Sequence, residues 1–207
     1  MTIRTPIASW RFNGALTDST GNGRSVTNTT GSYVPGRRGL CRKTGAVIQA
    51  NHAAINALAA PVAYSASLWF FLAATWEQYE AVQIAITKAG SPNYSTQFAF
   101  LLNESLDGLG FQTQDSAGSI DLPLVGAVMD DWNHGVYATD AAGRVNVYLN
   151  GQHQFVRIIP RQSWTGAATS GLSWTNPPAG VHLDDCDLWD VELTPVEVAA
   201  LFAGERP

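Results

Sequence analysis

The chain has 207 residues, a formal net charge of −5, and charged residues at only 14% of its positions. This length fits one large domain, and a hydrophobic content of 45% allows a packed core, which excludes a disordered chain. No dense run of Lys and Arg occurs, so binding to nucleic acid is not expected. Neither a membrane-spanning stretch nor an N-terminal signal peptide is present. We therefore expect a soluble protein that does not insert into membranes.

Short apolar segments alternate with Gly-, Pro-, Asn- and Asp-rich turns along the whole chain. Strands are predicted at residues 7–12, 33–47, 65–72, 81–87, 98–102, 109–113, 120–124, 132–139, 144–149, 152–158 and 183–189. The strongest hairpin signal is Asn150-Gly151, because a tight turn needs two residues that accept positive φ. Residues 161–180 are rich in Trp, Ser, Gly and Pro, and we expect a long loop there.

Only two short helices are predicted, at residues 51–58 and 195–202. The second has a clear start, with Thr194 as the N-cap, Pro195 at the first helical position and Glu197 three residues after the cap. Strands at intervals of about 8–12 residues with so little helix predict an all-β sandwich or barrel. No change of composition marks a linker, so residues 1–207 are interpreted as one domain.

Four groups of residues in order along the chain carry a resemblance to a known family. They are residues 10–14 (WRFNG) with 18–23 (DSTGNG), 67–69 (SLW), 132–137 (WNHGVY) with 147–151 (VYLNG), and 183–189 (LDDCDLW) with 193–198 (LTPVEV). Together they resemble the laminin-G-like family within the concanavalin-A-like lectin/glucanase jelly rolls. The resemblance implies a two-sheet antiparallel β-sandwich with its first and last strands close together. It does not imply a function, because this fold serves many functions.

A calcium site is the sharpest hypothesis for a cofactor. Asp18 and Asn22 lie in a polar loop whose side chains suit either tight turns or oxygen coordination of a cation. Alternation along the last strand places Asp184 on the same face as Cys186 and Leu188, which predicts that Asp184 points inward and needs a partner. The resemblance implies that these segments meet at one edge of the sandwich and hold Ca2+. The alternative is that backbone amides of the Asp18 loop satisfy Asp184 without a metal.

Other acidic and thiol groups receive simpler interpretations. Asp185, Asp187 and Asp190 are interpreted as solvated surface charges. Cys41 and Cys186 have no partner at metal-ligand spacing, and we expect two buried free thiols, although a long-range bridge is not excluded.

Aromatic side chains in loop-like segments are the candidates for contacts with a ligand or a partner. The chain has seven Trp; those at 10, 69 and 132 fall within strand patterns and are interpreted as core residues. The candidate contact residues are Trp76, Tyr79, Trp164, Trp174 and Trp189, the last of which alternation places on the outward face of its strand. Such rings can stack on a sugar or pack against another subunit, and both alternatives stay open.

No catalytic residue is assigned. Glycoside hydrolysis normally needs two carboxylates across a cleft, and only Glu77 and Glu80 form a pair worth considering. His134 matches the family's hairpin position, where packing is expected. We therefore predict a non-enzymatic binding or structural module. Because no export signal is found at the N-terminus, we expect a bacteriophage virion component that contacts other virion subunits or a cell-surface glycan, with a homo-oligomer as one form. The alternative is a bacterial lectin-like module.

Overall fold

The protein is described by a computed structural model, and its description covers residues 2–26, 32–43, 54, 63–73, 84–89, 98–103, 108–115, 118–158, 169–173 and 181–206. The strands are β1 Ala8–Trp10, β2 Ser32–Gly36, β3 Gly39–Lys43, β4 Tyr64–Leu72, β5 Ile84–Ala89, β6 Phe98–Asn103, β7 Gly108–Asp115, β8 Gly118–Pro123, β9 Asp131–Thr139, β10 Arg144–Leu149, β11 Gln152–Ile158, β12 Thr169–Ser173 and β13 Val181–Trp189. Helix α1 is Pro195–Ala203.

The strands form two antiparallel sheets, which confirms the predicted all-β sandwich. The large sheet has the order β11-β10-β9-β4-β13-β3-β2, with β1 also paired to β13, and the small sheet has the order β12-β5-β6-β7-β8. The pairing of β1 with β13 brings the first and last described strands together, as expected.

The main core lies between the two sheets. Phe70 of the large sheet contacts Phe100 of the small sheet, with ring centroids 5.9 Å apart, and Phe100 in turn contacts Phe111. All three rings are buried. Gly135 on β9 permits this packing, because a Cβ atom there would lie 2.6 Å from the Phe100 ring. A side chain at position 135 would therefore collide with Phe100.

Helix α1 packs on the opposite, outer face of the large sheet and forms a second core. Thr194 and Glu197 make the predicted capping box, with the Glu197 N–H donating to Thr194 Oγ1 and the Thr194 N–H donating to Glu197 Oε2. Arg4 Nε donates to Glu197 Oε1 at 2.7 Å, and this bond is the main reason that the pKa of Glu197 falls to about 2. The helix start is thereby tied to the N-terminal segment.

One prediction of secondary structure is wrong, and one is not tested. Residues 161–180 were expected to be a loop, but Thr169–Ser173 forms strand β12 at the edge of the small sheet, paired with β5. The expectation failed because a Ser- and Gly-rich strand lacks the alternation used to find strands. The predicted helix at 51–58 lies outside the described residues, apart from Ala54. Among the described residues, no helix has the length and apolar character needed to cross a membrane.

Both cysteines are buried and free, as expected. Cys41 lies on β3 and Cys186 on β13. Burial is the main reason that the pKa of each thiol is raised, to about 11 for Cys41. Both groups are therefore protonated and unreactive at neutral pH.

Candidate functional site

The outer face of the large sheet is lined by aromatic and polar side chains in cross-strand rows. The register of β9, β4 and β13 defines four rows: Ala138, Ser65 and Trp189; Val136, Ser67 and Asp187; His134, Trp69 and Asp184; and Trp132, Phe71 and His182. Lys43 of β3 pairs with His182 and extends the fourth row by one strand. The described packing contacts of α1 are with the first three rows.

The first row is covered, and this corrects the interpretation of Trp189. Alternation placed Trp189 on the outward face, and it does lie on the outer face of the sheet, but it is fully buried. Its ring joins the core cluster beneath α1, and its indole N–H donates to the Arg4 carbonyl at 2.8 Å. The prediction that Trp189 contacts a ligand or partner is therefore wrong, because a helix from the same chain already covers it.

The third row carries a stack of rings between the sheet and the end of α1. Trp69 stacks on His134 with centroids 4.7 Å apart and on Phe202 with centroids 5.8 Å apart, and the Arg37 guanidinium lies 3.5 Å above the Trp69 ring. His134 Nε2 lies 2.7 Å from Ser67 Oγ. Complete burial, followed by the nearby charge of Arg37, lowers the pKa of His134 to about 3. His134 is therefore a neutral packing group, as predicted.

The acidic residues of the second row and its surroundings are buried, which corrects another prediction. Asp187 and Asp185 were interpreted as solvated charges, but they are 3% and 5% exposed. Arg11 lies 3.2 Å from Asp187 Oδ2 and 3.5 Å from Asp185 Oδ1, and Arg206 donates to Asp185 Oδ2 at 2.8 Å. Asp190 is exposed, as predicted. Arg11 near the start of the chain and Arg206 near its end thus supply the cations that pair with these two carboxylates.

Asp184 lies on the opposite face of β13 from the one predicted. The pairing with β4 places Asp184 opposite Trp69 and Cys186 opposite Leu68, so that Asp185 is an extra residue in a β-bulge. Asp185 has a φ of 39°. Because a bulge shifts alternation by one residue, Asp184 joins the outer face and Cys186 the core. The predicted shared face of these two residues is therefore wrong.

Backbone amides satisfy Asp184. Its Oδ2 accepts from the Arg38 N–H at 3.3 Å, and its Oδ1 accepts from the Asp185 N–H at 2.9 Å. Burial, with the adjacent charge of Asp185 as a second cause, raises the pKa of Asp184 to about 6. The amide alternative considered above is thus supported, but the donors come from the β2–β3 hairpin and the bulge, not from the Asp18 loop.

Hydrogen-bond donors from its own loop and from β1 satisfy the carboxylate of Asp18. Its Oδ1 accepts from the Ser9 N–H at 3.1 Å, the Thr20 N–H at 3.0 Å and the Thr20 hydroxyl at 2.7 Å, while its Oδ2 accepts from the Arg24 N–H at 3.1 Å. Burial opposes ionisation of Asp18, but these hydrogen bonds outweigh it and lower the pKa. Asp18 therefore acts as the organiser of the loop.

The residues predicted to bind calcium do not fit one shared site as the structure places them. Asn22 donates to the Ile7 carbonyl at 3.0 Å, while Asp18 and Asp184 bond to separate segments. In the described part of the chain, no three His, Cys, Asp or Glu side chains are grouped so as to hold a metal ion. These contacts favour the alternative without a metal, and the melting temperature with and without chelator tests it.

The fourth row is the open part of this face. Trp132, Phe71, His182 and Lys43 are each half-buried. The Phe71 ring is 5.8 Å from Trp132, edge-on, and 5.5 Å from His182, stacked with 20° between the planes. Burial, and then the charge of Lys43, lower the pKa of His182, so its imidazole is neutral at pH 7. We call these three aromatic side chains the aromatic row.

The sequence interpretation missed the aromatic row. It assigned Trp132 to the core and gave no ligand role to Phe71 or His182. One signal was available: residues 68–72 (LWFFL) carry aromatic side chains at both alternating positions, so one set had to lie outside the main core. In the structure, α1 covers Trp69 and leaves Phe71 half-exposed.

Four of the predicted contact residues, Trp76, Tyr79, Trp164 and Trp174, lie outside the described residues. Two of them, Trp76 and Tyr79, follow shortly after Leu72, the last residue of β4. Leu72 directly follows Phe71, a member of the aromatic row, so β4 ends beside that row. A ligand role for these four residues stays a prediction.

The two antiparallel sheets and the amino-acid sequence together identify the family of this chain. The sequence model described as "Concanavalin A-like lectin/glucanases superfamily", a laminin-G type, matches residues 42–199. The chain belongs to this family. A comparison with curated protein sequences found no match.

Solved structures of the same fold come from binding proteins and from an enzyme. Domain 4 of AbnA, a GH43 extracellular arabinanase from Geobacillus stearothermophilus determined in complex with arabinotriose, is 22% identical with a TM-score of 0.71, covering 97% of this chain and 99% of that one. The binding domain of Paraclostridial Mosquitocidal Protein 1 is 16% identical with a TM-score of 0.71, covering 95% and 51%. The binding domain of botulinum neurotoxin serotype D is 12% identical with a TM-score of 0.68, covering 97% and 52%. This chain thus spans the whole of the first domain and about half of each toxin domain.

The fold by itself does not establish or exclude catalysis, because the same architecture occurs in binding domains and in a domain of a glycoside hydrolase. The carboxylate pair considered above, Glu77 and Glu80, lies outside the described residues. Ser67 and His134 form a hydrogen-bonded pair, but both are buried and the low pKa of His134 makes it a weak base.

Proposed function

We propose that this domain is a non-catalytic module that binds carbohydrate through the aromatic row of Trp132, Phe71 and His182. The observation that carries the proposal is that these rings are half-exposed and adjacent on three strands. The spacing of neighbouring strands makes the row roughly 10 Å long. That length accommodates two sugar units whose apolar faces lie on the rings, while the neutral imidazole of His182 hydrogen-bonds a hydroxyl.

The family and one related structure support this proposal. The superfamily description names lectins, and the arabinanase domain was determined with a bound trisaccharide. A rigid sheet also suits binding, because its side chains are already ordered before a ligand arrives and little entropy is lost. The toxin binding domains of the same fold support the coarser view of a recognition module.

The test is an array of neutral and acidic oligosaccharides, followed by calorimetric titration of the best ligand. We expect Trp132→Ala and His182→Ala to weaken binding by about tenfold or more, which corresponds to about 1.4 kcal/mol. The matched control is His153→Ala, which removes an exposed imidazole from β11, outside the row. Melting temperatures of the variants verify that each is folded. Binding that survives both row substitutions unchanged would place the sugar elsewhere and overturn the proposal.

A second candidate, a bacteriophage virion component that contacts other subunits, draws support from a different surface. Strand β11 is the last described strand at one edge of the large sheet. Val156 and Ile158 on this strand are 54% and 70% exposed, and Val125, whose N–H donates to Gln154 of the same strand, is 78% exposed. An edge strand with exposed apolar side chains can pair with another chain. Sedimentation distinguishes the candidates, since a virion subunit or homo-oligomer sediments as an assembly and a free lectin-like module as a monomer.

A further inference from the structure

We infer that the aromatic row binds an acidic saccharide, whose carboxylate pairs with the Lys43 ammonium while its ring lies on His182 and Phe71. This inference rests on the proposed function and adds the chemical class of the ligand. Lys43 is the direct cross-strand neighbour of His182, so the two side chains start one strand spacing, roughly 5 Å, apart on the same face. The ammonium is thus within reach of a carboxyl group on a sugar unit that stacks on the row.

Lys43 is the cation of this edge that remains available. Each of the other three basic side chains of the β2–β3 hairpin is engaged: Arg37 lies over Trp69, Arg38 donates to the Gly204 carbonyl, and Arg42 is buried and lies over Tyr33. Within the described residues, the Lys43 ammonium has no ion pair or hydrogen bond, and its side chain is half-buried. A half-buried cation beside apolar rings is poorly solvated and gains from an anionic ligand.

The other ionisable groups around the row are consistent with an anionic ligand. His182 is neutral at pH 7 because burial and Lys43 lower its pKa, so it adds no charge to this end of the row. The buried carboxylates of the face are engaged: Asp185 and Asp187 pair with Arg11 and Arg206, and Asp184 accepts two backbone amides. The free positive charge at this end of the row is thus that of Lys43, among the residues that the structure describes.

The experiment compares saccharides that differ only in charge. The probes are tetragalacturonate and a hyaluronan tetrasaccharide, each titrated beside its fully methyl-esterified form. We expect at least one acidic form to bind about tenfold or more tighter than its ester, because a hydrogen bond to a charged group is worth about one factor of ten or more. The preference weakens as ionic strength rises.

Lys43→Met tests the residue, since it removes the charge and keeps an unbranched side chain. We expect this variant to bind the acid and the ester equally, because the charge that distinguishes them is gone. The matched control is Arg157→Met on β11, which removes one positive charge at the opposite edge of the large sheet and leaves the preference intact.

The outcomes separate the two proposals. If the wild type binds acid and ester equally, or if Lys43→Met keeps the preference, the inference is overturned and the carbohydrate-binding proposal stands. If no oligosaccharide binds, neither an acid nor any member of the neutral array, both proposals fail together. Acid preference that disappears with Lys43→Met and persists in Arg157→Met supports both.

Discussion

At the scale of single residues, His134 shows how burial sets the chemistry of an ionisable group. It is fully buried between Trp69 and the end of α1, and its Nε2 pairs with Ser67. Its folded-state pKa is about 3, whereas an unfolded histidine titrates near 6.5. The unfolded chain therefore binds the proton more readily, and the stabilising effect of a neutral His134 is present above about pH 6.5 and lost as the pH falls towards 3.

We predict that the free energy of unfolding falls by up to about 1.4 kcal/mol per pH unit below pH 6.5 because of His134. Asp184 acts in the opposite direction between about pH 6 and 4, because its raised pKa means that the folded state binds the proton there. His134→Gln isolates the first effect: its unfolding curves should depend less on pH over this range than those of the wild type. His153→Gln, at an exposed site, serves as the control. An equally steep pH dependence in His134→Gln would contradict the assignment.

At the scale of elements, the bulge in β13 decides which face each acidic side chain occupies. Val181–Asp184 and Cys186–Trp189 pair with β4 in two registers that differ by one residue. Asp185 is the one extra residue between the two registers, so the faces of β13 alternate regularly only when it is left out of the count. Leu183 and Leu188, which are five positions apart, both face the core for this reason.

Deletion of Asp185 should keep Leu183 and Leu188 in the core, because Asp184 and Cys186 already pair with consecutive residues of β4 and the deletion joins them in one regular register. We expect it to cost about 1–3 kcal/mol, through the loss of the ion pairs with Arg11 and Arg206. The comparison variant is Asp185→Asn, which loses the same ion pairs but keeps the bulge, since asparagine tolerates the positive φ of 39° at this position. Urea unfolding measures both variants, and a deletion that costs much more than Asp185→Asn would contradict this account of the bulge.

At the scale of the whole molecule, the hydrogen-bonding pattern bears on the predicted cation. Asp18 already accepts three hydrogen bonds from its loop and one from Ser9 of β1, and Asp184 accepts the backbone amides of Arg38 and of the adjacent Asp185. Each carboxylate is thereby satisfied without a metal. Asp18 connects its loop to β1, and Asp184 connects β13 to the β2–β3 hairpin. Because they share no partner, we expect their contributions to stability to be independent.

We predict that excess chelator leaves the melting temperature unchanged, and that Asp18→Ala lowers it by several degrees through the loss of buried hydrogen bonds, worth about 2–3 kcal/mol. Asp190→Ala, at an exposed carboxylate, should change it little. Calcium at 100 times its dissociation constant would add about 2.7 kcal/mol if the site existed. A rise of the melting temperature with calcium that chelator reverses would therefore restore the calcium prediction.

The sequence by itself determined most strands, the Asn150-Gly151 turn, the capping of α1 and the family, because these depend on local alternation and turn chemistry. It also located the buried thiols and the packing role of His134. What it left undecided was which side chains the rest of the chain covers. Alternation shows that two residues lie on opposite faces of a strand. It does not show that helix α1, nine residues long, packs on one of those faces.

Only the tertiary structure decided the burial of Trp189 and Trp132 and the strand face of Asp184. Trp189 is buried because α1 packs on it, and Asp184 changed faces because one extra residue interrupts the ladder. Trp132 is half-exposed because the described contacts of α1 end one row earlier. In each case the deciding partner is distant in sequence, and burial depends on where such partners pack rather than on the local pattern.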